Sequence, residues 1–247
     1  MSTPLHHLIR AARHKKWFLT TCQANGLSLD YAENEAGIGI FKEVFVQRVY
    51  ADFFPFFENA TVIDIGGHFG YFTLFAAVNL GQEGRVITVE PSKQNFDLLC
   101  RNLAKSGLQN KVSAINVALA ATPGEKKLFT GKSENHSLIA PGENAVWEVT
   151  QALTLDALVE KNVAGVVHFL KMDCEGTEYD ILFGADRVIL DQIQTISLEF
   201  HDLKSAEKNG LKLAQYLKTN GFNIARFNHN KTTMGNNYGN IIATKKL

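Results

Sequence analysis

Short runs of β-branched and aliphatic residues alternate along this chain with segments in which apolar residues recur every three or four positions. Val62, Ile63 and Ile65 form the first run, and Tyr71 to Leu80 reads as the helix after it. Arg85 to Val89 is a second strand. A helix opens at Pro91 and runs to about Ser106, with Phe96, Leu98, Leu99 and Leu103 inward and Gly107 as its stop. Val112 to Val117 is a third strand, and Lys126 to Thr130 a short one after the Pro123-Gly124 turn. Residues 131–150 are polar and rich in Gly and Asn, which predicts a long loop near the acceptor or a solvated insertion. Thr154-Leu155-Asp156 carries an N-cap signature. Val166 to Met172 is a fourth strand, Thr177 to about Leu190 one helix, and Ile193 to Phe200 a fifth strand. Ser205, as N-cap, opens a helix to Thr219, and Gly221–Phe227 and Gly239–Thr244 close the chain as strands.

Strands alternating with helices predict an α/β fold with a doubly wound, mostly parallel sheet. In such sheets ligands bind beyond the carboxyl ends of the strands. Asp64, Glu90, Asn116, Asp173 and Glu199 all fall at predicted strand ends, and this convergence locates the candidate site. The expected division is an N-terminal helical extension or lid over 1–60 and the main domain over 61–247. In the extension, Thr3-Pro4 reads as a helix start, and Leu5, Leu8, Ile9, Ala12 and Leu19 are helix-spaced. Met1 to Leu29 holds no acid but has Arg10, Arg13, Lys15 and Lys16. A helix packed on the main domain is favoured over a transit peptide or a membrane-surface helix. Gly37 and Gly39 predict a turn, and Phe41 to Tyr50 a helix. Phe53, Phe54, Phe56 and Phe57 flank Pro55; core cover at the sheet end is favoured over a lid or acceptor pocket.

The first strand runs into Asp64-Ile65-Gly66-Gly67-His68-Phe69-Gly70 and then a helix. Glycines let backbone amides approach a ligand, and a helix start presents free N–H groups. The dinucleotide fingerprint needs glycine at its first, third and sixth places, which here hold Gly66, His68 and Tyr71, so a nicotinamide cofactor is disfavoured. An acid beside the turn suits a cationic ligand. S-adenosylmethionine, with a sulfonium and an ammonium, fits. Glu90, ending the next strand, can accept the hydroxyls of its ribose.

Lys171, Asp173 and Glu175 alternate with apolar partners at the end of the fourth strand. They can hold the cofactor's ammonium or orient an acceptor. The structural alternative is that Lys171 neutralises Glu175 or Asp173 while the acids cap the next helix. His201 is the candidate general base by its ordinary pKa of about 6.5, with Glu199 to orient it. Asp173, Glu175, Glu199 and His201 would also suit a divalent ion, although no metal is predicted. His68 either shapes the turn or touches the cofactor, His168 reads as a satisfied core residue, and Cys174 as a small buried one.

Composition narrows the partners. Of 247 residues, 45% are hydrophobic and 20% charged, as in an ordinary globular domain. The 25 basic and 25 acidic residues cancel, which argues against a nucleic-acid partner. Three scattered cysteines point to a reducing compartment, read as cytoplasmic, without a disulfide framework. No apolar run is long enough to span a bilayer.

Several stretches together resemble the FkbM family of S-adenosylmethionine-dependent methyltransferases. They are Val62 to Thr73, Val86-Ile87-Thr88-Val89-Glu90-Pro91, Asn116 to Leu119, Leu170 to Glu178 with its Lys-x-Asp-x-Glu-Gly-x-Glu pattern, and Leu198-Glu199-Phe200-His201. The resemblance covers about residues 60–245. It implies a class I methyltransferase sheet of seven strands, the last antiparallel, and O-methylation of a small-molecule or glycan hydroxyl. On it, Asp64, Gly66, Gly67, His68, Gly70, Glu90, Asn116, Asp173 and Glu175 would hold the cofactor, and His201, Glu199 and Asp173 would serve catalysis. The alternative is a methyltransferase-like binding module with little turnover. Two departures stand out: His68 replaces the family's usual Asn, and Ala120-Ala121 replace a frequent Ser-Asp pair. The adenine amino group would then be held by backbone, or less tightly.

Overall fold

The structure, a computed structural model, describes residues 15–30, 35–130, 136–139, 145–203, 205–230 and 237–245. Helix α1 spans described residues 15–24, and α2 is Glu35–Lys42. There follow β1 (Thr61–Ile65), α3 (Tyr71–Asn79), β2 (Arg85–Val89), α4 (Lys93–Lys105), β3 (Val112–Ile115), β4 (Ala118–Leu119), β5 (Gly124–Thr130), β6 (His136–Ser137) and β7 (Trp147–Leu153). The rest are α5 (Leu155–Asn162), β8 (Phe169–Met172), α6 (Glu178–Phe183), α7 (Arg187–Gln192), β9 (Thr195–His201), α8 (Gly210–Thr219), β10 (Asn223–Asn230) and β11 (Tyr238–Thr244).

Seven strands form one sheet in the order β10-β11-β9-β8-β1-β2-β3. All neighbours are parallel except β11, which runs antiparallel to both β9 and β10. This is the seven-stranded sheet with an antiparallel last strand expected from the sequence. Successive residues of the central strands bury against opposite layers. Ile63 and Leu170 pack towards Leu158, Leu182, Leu190 and Leu213. Val62 and Phe169 pack towards Phe41, Leu74, Phe75 and Leu99. The N-terminal helices belong to this second layer: Phe18 meets Phe41 at 4.3 Å between ring centres, and Phe41 meets Tyr71 at 5.4 Å. The packed-helix reading therefore holds for residues 15–24, while Thr3-Pro4, Arg10 and Arg13 lie outside the described residues.

Several boundaries differ from expectation, each for a local reason. Gly37 and Gly39 lie inside α2, because packing of Phe41 and Val44 outweighs a glycine penalty of about 1 kcal/mol each. The expected helix over Phe41–Tyr50 is instead the end of α2 followed by a π-helical turn, Glu43–Gln47, closed by Arg48 at φ 52°. The helix expected from Pro91 starts at Lys93, with the Ser92 hydroxyl accepting the Asn95 N–H. The single helix over Thr177–Leu190 is two, broken at Gly184-Ala185-Asp186, where the Asp156 carboxylate draws in the Asp186 N–H at 3.2 Å. Helix α8 starts at Gly210 rather than Ser205: Asn209 caps it, and the Gly210 N–H goes to Asp202 at 3.0 Å.

The long polar loop over 131–150 is partly strand. β7 pairs with β5 in a second sheet, ordered β4-β7-β5-β6, and its inward residues are the small Thr150 and Ala152. Of the four phenylalanines, Phe54 is core while Phe56 and Phe57 are exposed, and none lines the cleft described below. Thr154 caps α5 as expected, accepting the Ala157 N–H at 3.1 Å.

In β11, Gly239 pairs with His229 of β10 and Phe200 of β9, and an added Cβ would stand 2.1 Å from the Asn228 carbonyl oxygen and 2.6 Å from the Phe200 ring. Gly239→Ala is expected to lower stability by about 1–3 kcal/mol in urea denaturation. Leu211→Ala, at an exposed site, should stay within about 0.5 kcal/mol.

Candidate functional site

The strand ends meet at the turn after β1. Gly66 and Gly67 both donate to the Val89 carbonyl, at 3.0 and 2.9 Å, which folds the turn over β2. A Cβ on Gly66 (φ +81°) would lie 2.0 Å from the Asp173 carbonyl oxygen, and one on Gly67 2.3 Å from the Thr88 hydroxyl. Only glycine permits these approaches. His68 takes φ 50°, and Gly70 at φ +85° leads into α3.

A cleft opens above this turn, with about 1030 Å³ of empty space that includes its open mouth. Gly66, Gly67 and His68 form its floor. Glu90 and Asn95 stand on one side, Lys171, Asp173, Cys174 and Glu175 on the other, and Val117 to Leu119 beyond β3. Ile40, Glu43, Val44 and Tyr50 close it from the N-terminal segment. Glu90 accepts from the His68 N–H at 2.7 Å and the Ser92 N–H at 2.9 Å. Burial still pushes its pKa up to about 7. His68 is neutral, its pKa pushed down to about 3 by burial and by the charges of Lys171 and His136. Neither His68 ring nitrogen has a hydrogen-bond partner among the described residues.

Five of the expected residues are not among those lining the cleft: Asp64, Gly70, Asn116, Glu199 and His201. Asn116 donates to the carbonyls of Glu90 and Pro91, at 2.8 and 3.1 Å, and so fixes the loop after β2. Asp64 lies beneath the turn, fully buried. It accepts from the Thr73 hydroxyl at 2.6 Å and stands 3.3 Å from the Lys171 ammonium, which donates to the Gly66 carbonyl at 2.9 Å. Lys171 therefore pairs with Asp64, not with Glu175 or Asp173 as the structural alternative had it. Burial opposes its charge, but Asp64 and Asp173 raise its pKa above the ordinary lysine range.

β8 and β9 bring the remaining candidates together. The buried Glu178 accepts from the Cys174 and Gly176 N–H groups, both at 3.1 Å, and faces His201 Nδ1 at 3.3 Å. His201 Nε2 lies 3.4 Å from Glu199 and 3.5 Å from Glu175. Burial alone would lower the pKa of His201, yet the hydrogen bonds to Glu178 and Glu199 and the surrounding charge push it up to about 11. The imidazole is thus a held cation, which corrects the expectation of a base at its ordinary pKa. Burial raises Asp173, against the pull of Lys171, and takes Glu175 up to about 7. Ligand atoms of Asp173, Glu199 and His201 lie within 4.8 Å of one another, close enough for a divalent ion to bridge.

On sequence alone Glu178 has a place in the Lys-x-Asp-x-Glu-Gly-x-Glu pattern but no role, and Asn95, Glu43 and Tyr50 have no site role. The signal for Glu178 was its place four residues after Cys174, in the first turn of a helix. His168 is satisfied as expected, accepting the Thr61 N–H at 2.9 Å. Burial raises the Cys174 thiol, so it is not an activated nucleophile.

A family model described as a methyltransferase FkbM domain matches residues 64–224. Methyltransferase 1 of Beauveria bassiana is 27% identical over 206 residues, covering 75% of this chain and 81% of that protein. Methyltransferase sdnD of Sordaria araneosa is 23% identical over 220 residues, covering 76% and 82%. Among solved structures, the METTL16 MTase domain aligns with a TM-score of 0.50 at 12% identity, over 92% of this chain and 78% of that one, a likeness of fold.

Lys171→Met leaves the buried Asp64 uncompensated and is expected to cost about 3–5 kcal/mol in denaturant melts. Lys171→Met with Asp64→Asn should recover part of that loss; equal loss in both would deny the pairing.

Proposed function

The chain belongs to the FkbM family of S-adenosylmethionine-dependent methyltransferases, and from that premise we propose that it methylates a hydroxyl group on a small molecule or glycan. One observation carries the proposal: Asp173 borders the cleft and also belongs to the cluster around His201. A neutral hydroxyl must lose its proton as it is methylated, so an O-methyltransferase needs a proton acceptor beside its donor site.

Polar groups left without partners support donor binding in the cleft: the His68 ring nitrogens, Asn95 Nδ2 and Asp173 Oδ1. Glu90 would take the ribose hydroxyls with the lone pairs that its two backbone donors leave over. Glu175 would hold the ammonium, which leaves Asp173 for the acceptor, and the backbone of Gly66, Gly67 and His68 would lie under the donor. Asp64, Asn116 and Gly70 would support this floor from behind. Bound there, S-adenosylmethionine supplies a methyl already activated on its sulfonium. The residues then have two tasks, alignment and proton removal. Asp173, with its pKa raised by burial, accepts the hydroxyl proton. His201, kept protonated by Glu178 and Glu199, stands beside it as a fixed positive charge.

We assign residues 1–60 to a helical extension that completes the acceptor side, because Ile40, Glu43, Val44 and Tyr50 line the cleft, and 61–247 to the methyltransferase domain. A cytoplasmic location is proposed on cysteine usage. No helix among the described residues is long and apolar enough to cross a membrane.

A screen of hydroxyl-bearing small molecules and glycans with labelled donor tests the acceptor class; transfer confined to amines or carbon would overturn it. With an acceptor in hand, His201→Ala should lower kcat by about 10²–10³-fold while the donor Kd changes little. Unaltered turnover would remove His201 from the mechanism. Activity should survive EDTA; loss restored by a divalent ion would instead make Asp173, Glu199 and His201 ligands.

Donor binding should also depend on pH. Glu90 and Glu175 have pKa values near 7 and bind as carboxylates, so affinity should rise from pH 6 to pH 8, about the span over which such groups ionise. Glu90→Gln should bind more weakly and lose part of that dependence. A flat calorimetric profile for the parent protein would refute the assignment.

A further inference from the structure

We propose that Asn95 recognises the nucleobase of the methyl donor and makes the site selective for adenine. The inference rests on the donor reading above and adds a residue to it.

Asn95 sits in the first turn of α4, where an asparagine commonly serves the helix as a cap. Here Ser92 is the cap, its hydroxyl accepting the Asn95 N–H at 3.5 Å. Asn95 itself lines the cleft. The residue is 4% exposed, and its Nδ2 has no hydrogen-bond partner among the described residues. A buried amide donor without a partner is uncommon, and a ligand is one way to satisfy it.

Its position selects the part of the ligand. Along the sheet the cleft passes from Asp173 after β8, over Gly66 to His68 after β1 and Glu90 after β2, to Val117, Ala118 and Leu119 after β3. Glu90 is joined to Asn95 through Ser92, whose N–H binds the Glu90 carboxylate and whose hydroxyl caps Asn95. Asn95 therefore lies next to the proposed ribose acid, in the first turn of the helix that leads from β2 to β3. The wall at the β3 end presents aliphatic side chains of Val117, Ala118 and Leu119. Aliphatic walls suit the faces of a planar base, and a carboxamide suits its edge. Adenine offers an amino donor and a ring-nitrogen acceptor side by side, the pattern complementary to the donor and acceptor of an asparagine.

The test uses calorimetry with S-adenosylhomocysteine and S-inosylhomocysteine, in which a carbonyl replaces the amino group and the neighbouring ring nitrogen becomes a donor. The parent protein should prefer the adenine compound by about tenfold or more. Asn95→Ala should weaken adenine binding by about tenfold and bring the two compounds within about threefold of each other. The melting temperature of the free variant should match the parent's, because no native hydrogen bond of the amide nitrogen is lost. Asn95→Leu, closer in volume, carries the same expectations if the alanine variant packs poorly. Unchanged discrimination in the variants, or a free-protein melting temperature lowered by more than about 5 °C in both, would overturn the proposal. A parent protein that binds neither compound would overturn the donor reading, and this inference with it.

Discussion

A buried ammonium ties the two central strands to the turn between them. Lys171 on β8 stands opposite Asp64 on β1 in the sheet register, and reaches both the Asp64 carboxylate and the Gly66 carbonyl. Removing two charges from water is costly, and their attraction repays it only where further hydrogen bonds complete both groups. Asp64 gains one from Thr73 on α3, and Lys171 gains one from the turn. The pair is therefore better understood as fixing position than as adding stability. Gly66 packs its backbone on that of Asp173, so the same contact sets the floor of the cleft and the height of the acid above it.

From that fixed point the site divides by charge. Towards β9, four carboxylates, those of Asp173, Glu175, Glu178 and Glu199, surround one imidazolium. Towards β3, the wall is aliphatic with a single amide. Glu90 stands between, its charge dependent on pH near neutrality. A ligand that is cationic at one end, hydroxylated in the middle and planar at the other fits this gradient. His68 and Glu175 border the cleft with positive φ, 50° and 53°. Such backbone is uncommon outside glycine and, where surroundings enforce it, clusters at functional sites.

The sheet was legible because its central strands are continuous apolar runs ending in acids, a pattern that burial on both faces requires. The acids were legible as a set, but their directions were not. Asp64 alternates with Ile63 and Ile65 and so shares the face of Val62, turned under the glycines rather than over them. That parity was present in the sequence, and only the partner on β8 gives it meaning. His201 shows a different limit. Its ordinary pKa made it a base, but three carboxylates from separate elements hold its proton. β7 escaped because Thr150 and Ala152 point inward while Trp147 and Val149 point out, inverting the usual sign of a strand pattern. Asn95 was invisible because its role depends on Ser92 having taken the cap.

The N-terminal segment both lines the cleft and packs into the core. Its aromatic residues Phe18, Phe41 and Phe45 pack into the layer of α3, whose first turn follows the glycine floor. One turn further on, Glu43 and Val44 enter the cleft through a π-helical turn that ends at a left-handed Arg48. A π-turn inserts a residue into a helix and re-aims those after it, which is why such turns gather at functional sites. Here it lets a helix anchored by Phe41 deliver a carboxylate and Tyr50 to the mouth. Changes to the lining of the cleft are therefore best tolerated at Glu43, which is exposed. Phe41 and Phe45, two residues either side, are held by the core and leave no such freedom.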